Sequence, residues 1–201
     1  MVNYMANYML KNLVIILAIG AIVMISFSGC SPDFKYGRYL PKDSRLDFTM
    51  EYLSGWLAFE QFGSHNSFAQ VVFVYPKGKD KAFKASMVAT LKDESKVQIN
   101  TATIEAFADD LIAKRLNLKD SRLIYRKDAT VAGEDAVEIE MAYKALDNID
   151  RVNAKLIPVK ERIVILKRAG KFYIFRYENK AKEFEGLNKA FNHIITSLNF
   201  K

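Results

Sequence analysis

Two carboxylates two residues apart, Glu138 and Glu140, are the side chains whose spacing most readily suggests chemistry. On an extended strand they share a face about 7 Å apart, a separation suited to acid–base work or to holding a hard cation. The same spacing also suits two acids that meet cations on neighbouring strands, and Arg162 and Arg176 are the expected mates. The pattern favours the paired reading. The two histidines, His65 and His193, are too few for a zinc site unless carboxylates complete it, so neither a metal nor a cofactor is expected. Nucleophilic catalysis needs a serine or cysteine with a base, yet no Gly-x-Ser-x-Gly elbow occurs and neither histidine has a recognisable serine partner. Nine scattered glycines form no phosphate-cradling loop. The expectation is that the chain is not an enzyme.

Aromatic residues are the stronger lead. Trp56, Phe59 and Phe62 cluster between Gly55 and Gly63. Projecting from a sheet edge they would form an interaction patch; packed beneath a helix they would be core. Residues 170–177 alternate aromatics as RNA-binding strands do, but Tyr173 stands where such strands carry glycine. That segment reads as a buried strand, and no nucleic-acid partner is expected.

The elements that must position these groups follow from periodicity. Period-two alternation predicts strands over 46–52, 68–75, 85–91, 122–130, 135–143, 159–166 and 172–177. Turns fall at 76–78, at Gly133 and at 168–171. A 3.6-residue period predicts one helix over 104–116, capped by Thr101 or Thr103, and a second over 181–198. Three strands, a helix, four strands and a helix give an α+β fold. The expected form is an α-β-α sandwich: a mainly antiparallel sheet of about seven strands with two helices packed on it.

Cys30 is the only cysteine, and Lys11 is the only charge ahead of it. Residues 13–27 are an apolar run of about 15 residues ending at Ser28-Gly29-Cys30, the form of a secretory signal and too short to span a bilayer readily. The ending resembles the lipobox of bacterial lipoproteins, with Phe27 where an aliphatic residue is usual. It implies cleavage before Cys30 and lipid on its sulfur, so no disulfide is expected. Ser31, where aspartate would signal retention, implies outer-membrane sorting facing the periplasm if the cell is Gram-negative. The expected organisation is a signal peptide over 1–29, a lipidated tether over 30–45 rich in proline and mixed charge, and one domain over 46–201. A net charge of +7 favours long-range attraction to phosphate-rich surfaces but says nothing of fold.

Four segments in order resemble the PsbP-like fold family, which takes in bacterial lipoproteins and a eukaryotic nuclear-import factor. Residues 48–56 are similar to its opening strand and Gly-Trp turn, with Leu53 where proline is usual. Residues 104–116 sit at its first helix, 131–139 resemble its glycine turn and following strand, and 191–200 its terminal helix and Ser-Phe-like close. The resemblance implies a binding or assembly module. The functional expectation is therefore a lipid-anchored, non-catalytic module of the cell envelope, held at the membrane through Cys30 and engaging a protein partner. The alternative is a binder of a small or lipidic ligand between sheet and helix, motivated by 14 phenylalanines and 10 tyrosines.

Overall fold

A computed structural model of the chain describes residues 33–64, 67–75, 84–96, 103–148 and 152–201. The leader, Cys30, His65, the turn expected at 76–78 and Thr101 lie outside the described residues. The strands are β1 (Tyr36–Tyr39), β2 (Phe48–Leu53), β3 (Leu57–Phe62), β4 (Ala69–Val74), β5 (Ser86–Asp93), β6 (Arg122–Val131), β7 (Glu134–Leu146), β8 (Leu156–Arg168), β9 (Lys171–Lys180) and β10 (Asn199–Phe200). Helix α1 spans Ile104–Leu116 and helix α2 spans Phe184–Thr196. A seven-stranded antiparallel sheet runs β3-β4-β5-β9-β8-β7-β6, and a small sheet runs β1-β2-β10.

Alternation decides which side of the large sheet each residue takes. In β7, Val137, Ile139 and Met141 point toward α1, so Glu138 and Glu140 point the other way. Two hairpins close through Ala132-Gly133 and Ala169-Gly170, whose four φ angles run from 48° to 83°. Both are type I′ turns, whose twist matches that of the flanking strands. Helix α1 starts at Thr103, an extended residue whose Oγ1 accepts a hydrogen bond from the Ala106 amide at 3.3 Å. That bond satisfies one of the donors a helix start leaves open.

Phe107, Ala108 and Ile112 of α1 bury against Ile139, Met141, Ile163, Ile165 and Phe172, with Phe107 stacked on Phe172 at 4.5 Å. The opposite side of the sheet is covered by α2 together with the small sheet. There Tyr177 stacks on Phe184 at 4.8 Å and donates its hydroxyl to the Phe184 carbonyl at 2.7 Å. Phe48 meets Phe175 edge-on at 5.9 Å. The fold is the expected α+β sandwich.

Its details depart from expectation in three places. The tether expected to run to residue 45 contains β1, which pairs with β2 from Tyr36↔Leu53 to Tyr39↔Met50, and the compact unit begins at Lys35. Four residues suffice for this strand because buried Tyr39 sets its ring edge-on to Phe73 at 5.4 Å while β2 supplies the backbone pairing. The large sheet has seven strands, but β2 is not among them. It leaves for the small sheet, and β3 takes the seventh place. The terminal helix is shorter than 181–198. Ser197 Oγ donates to the Ile194 carbonyl at 2.7 Å and accepts from the Glu51 amide at 2.8 Å, so the chain leaves the helix there and pairs Asn199 with Thr49.

Candidate functional site

The acidic pair is a structural clamp. Glu138 accepts from Arg162 Nε and pairs with its Nη2, both at 3.0 Å, and also accepts from the Tyr125 hydroxyl. Arg162 reaches on to α2, donating to Asn188 Oδ1 at 2.8 Å and Asn192 Oδ1 at 2.6 Å. Burial pushes the Glu138 carboxyl up, but hydrogen bonds from Arg162 and Tyr125 and the charges of Arg162 and Lys127 hold it below its ordinary value. Glu140 pairs with Lys160 at 3.1 Å, which also meets Glu185 of α2. Arg162 is the mate expected. Arg176 is not, because it faces α1 and lies 3.5 Å from Glu161. Glu161 is fully buried, is held by Arg115 at 2.9 Å, and leaves its Oε2 without a hydrogen-bond partner. Burial raises its carboxyl above the ordinary value despite both guanidinium charges.

His193 ties α2 to the small sheet. It stacks on Tyr36 at 3.9 Å and hydrogen-bonds Glu51, linking α2 to β1 and β2. Among the described residues no three His, Cys, Asp or Glu side chains gather as a metal would require. The alternative reading places a ligand between sheet and helix, and the α1 side of the sheet is occupied by the aromatic and aliphatic cluster around Phe107 and Phe172.

The aromatic segment expected to form a patch builds a groove instead of a cluster. Trp56 follows a tight turn in which its amide bonds the Leu53 carbonyl at 3.1 Å and Gly55 takes φ +82°. A positive φ at the third position is what a type II turn demands, and glycine adopts it without strain. The turn delivers the chain into β3, an outermost strand of the large sheet. Along it runs an open groove of about 670 Å³, lined by Arg38, Tyr39, Leu40, Lys42, Tyr52, Trp56 and residues 57–60. Trp56 is 7% exposed and supplies a floor, whereas Phe59 and Leu57 are each 49% exposed and Leu40 62%. Phe62 stands apart. It lies on the side of β3 that Glu60 takes but beyond the groove's lining, and the Arg45 guanidinium lies 3.7 Å from its ring centre. Of the three aromatics expected in the patch, Trp56 and Phe59 line this groove and Phe62 does not.

Sequence reasoning missed Arg38, Leu40, Lys42 and Glu60. Glu60 fixes the groove's inner wall: its Oε1 accepts from the Tyr39 hydroxyl at 2.7 Å and the Lys42 amide at 2.8 Å. Burial, with that hydrogen bond to Glu60, pushes the Tyr39 phenol up, so it stays a neutral donor. Arg38 and Lys42 are exposed, and neither side chain pairs with a described acid. A signal for this wall existed in the two tyrosines of Tyr36-Gly37-Arg38-Tyr39, which mark a strand where the flanking prolines suggest a linker.

No protein-family model matches the chain, and no curated protein matches it in sequence. Solved structures match it in fold. Cyanobacterial PsbP (CyanoP) from Synechocystis sp. PCC 6803 superposes with a TM-score of 0.54 at 14% identity, over 88% of this chain and 99% of that one. The Ran-binding protein Mog1p of Saccharomyces cerevisiae gives 0.53 at 9% identity, over 84% and 96%. PA94, a Pseudomonas aeruginosa protein of unknown function, gives 0.51 at 17% identity, over 83% and 97%. The chain has the PsbP-like fold that its motif order predicts. At these identities the likeness concerns architecture and names no activity.

Proposed function

We propose that this chain is a non-catalytic binding or assembly module of the cell envelope, anchored through lipid on Cys30, with the groove along β3 as its protein-binding surface. The observation carrying this reading is the groove's composition: half-exposed Leu57 and Phe59 and exposed Leu40 beside the exposed cations Arg38 and Lys42. Exposed apolar residues scattered singly need no explanation, but a concave strip of them within a charged rim has the anatomy of an interface. Mog1p, a fold-mate, is a Ran-binding protein, which supports a protein as the class of partner. A lipid anchor would add effective concentration, so a weak contact in the groove would suffice near other membrane-held proteins.

A photo-crosslinking phenylalanine analogue placed at Phe59 in intact cells tests this reading. Discrete adducts with envelope proteins are expected, and they should disappear in the Cys30→Ala chain, which should accumulate as unprocessed precursor. Palmitate labelling that persists in Cys30→Ala would refute the anchor. Silence at position 59 would refute the groove.

A further inference from the structure

We infer that the outer edge of β3 receives an extended peptide segment with alternating apolar and acidic residues, which joins the large sheet as an eighth strand. The inference rests on the groove as binding surface and specifies how the groove holds its partner.

The backbone supplies the first part of the argument. Opposite Phe68, the Gly63 amide bonds the Phe68 carbonyl at 2.9 Å, one step beyond the Phe62↔Ala69 pair. Hydrogen-bonded and non-bonded pairs alternate in an antiparallel ladder, so Leu57, Phe59 and Gln61 bond to β4. The N–H and C=O groups of Ala58, Glu60 and Phe62 therefore point away from it. No described strand pairs with that side of β3.

The second part is the contrast between the two ends of one sheet. β6, the other outermost strand, carries Arg122, Arg126, Lys127 and Asp128 and has an irregular register between Leu123 and Tyr125. Charges and bulges are the usual guards against unwanted strand pairing. β3 is Leu-Ala-Phe-Glu-Gln-Phe, with no proline and no lysine. Its single charge, Glu60, is turned inward onto Tyr39 and the Lys42 amide. β3 thus keeps one such guard, the inward Glu60, but has none of the lysine, arginine or register irregularity that marks β6.

Charge selects the occupant. An added strand would set alternate side chains beside Leu57 and Phe59, and the intervening ones on the side of Arg38 and Lys42. Apolar residues suit the first set and carboxylates the second. A second copy of this chain would instead bring two cationic rims together.

The test uses the full-length protein and an end-capped octapeptide of alternating valine and glutamate. Its counterparts are a valine–lysine octapeptide and a form N-methylated at the residues that would donate to β3. Amide hydrogen exchange is the readout. Binding should slow exchange at Ala58, Glu60 and Phe62 by about tenfold or more and leave Leu57, Phe59 and Gln61 little changed. Ala58→Pro removes one outward donor and no bond to β4, and should weaken binding about tenfold; the lysine and N-methylated peptides should lose at least as much.

Protection spread evenly over 57–62, protection elsewhere, or equal binding of the lysine or N-methylated peptide would overturn strand addition. Self-association abolished by Ala58→Pro would assign the edge to a second copy and also overturn it. If Ala58→Pro does not fold, the N-methylated peptide decides. The two readings fail separately. Adducts from Phe59 that survive in Ala58→Pro would leave the groove standing and remove strand addition. Peptide protection without any cellular adduct would remove the groove's role in the cell and leave the edge chemistry intact.

Discussion

Replacing Glu138 with Gln removes one charge from the clamp between the sheet and α2 while keeping its volume. Glu138 and Arg162 side chains are 8% and 11% exposed, and two contacts at 3.0 Å join them. Breaking a buried pair by removing one partner costs about 3–5 kcal/mol, because the remaining charge is left uncompensated. Two features place Glu138→Gln at the lower end. The amide oxygen still accepts from Arg162 or Tyr125, and Arg162 keeps Asn188 and Asn192. A loss of about 3 kcal/mol is expected, or roughly 6–12 °C in melting temperature for a domain of this size. The cost should depend on pH with a definite sign. The folded carboxyl titrates below its ordinary value, so the stability it contributes is fully present above the unfolded value of about 4.3 and is lost as pH falls through the folded one. Urea titrations of both chains from about pH 7 down to about pH 3 measure this, and the curves should converge at the acid end. A cost below about 1 kcal/mol, or a difference that does not shrink with acid, would refute the clamp as described.

On the other side of the sheet the sign reverses. Burial holds the Glu161 carboxyl above its ordinary value, so its contribution favours folding at low pH and declines as pH rises above about 4.3. Relative to the parent, Glu161→Gln should gain stability between about pH 4 and pH 7 in the same urea titrations, opposite to Glu138→Gln. Ala132→Asn should raise the melting temperature by about 1–2 °C, since φ +51° there strains alanine and Asn-Gly is the preferred type I′ pair. Thr103→Ala should cost about 1 kcal/mol by chemical denaturation, through loss of the α1 cap.

Elements whose local pattern and tertiary role agree were legible in the sequence. α1 spans the residues its periodicity predicts because a capping threonine, a first-turn acid and a last-turn Lys-Arg pair mark both ends of an apolar stripe. β7 was legible because each of its sides is sharply apolar or acidic, and Arg162 could be named as a mate because β8 alternates in the same way. β3 was not legible as a strand. Leu57, Ala58 and Phe59 are consecutive and exposed, so no alternation betrays which side is inner. Edge strands escape the burial constraint that writes a period into sequence. The bounding Gly55 and Gly63 were the available signal. β1 and β10 escaped for a related reason, because four and two residues are too few to display a period, and both exist only by pairing with β2. Arg38 and Tyr39 of the groove's wall were hidden with β1.

The part of the fold hardest to read in sequence is thus the part that carries the proposed function, and one cause accounts for both. A strand buried on both sides and paired on both edges must satisfy its neighbours, and its residues record that. β3 is paired on one edge, and its side chains at 57 and 59 are half exposed, so its sequence is free to answer to something outside the described fold. So lightly guarded an apolar edge would ordinarily invite aggregation. Arg38 and Lys42 beside it make like-with-like association unfavourable while leaving acidic partners attracted. Charge reversal at both positions, Arg38→Glu with Lys42→Glu, should therefore do two things at once. It should exchange the preference between glutamate- and lysine-bearing peptides, and it should leave the melting temperature within about 4 °C of the parent, since surface substitutions are usually worth at most about 0.5 kcal/mol each.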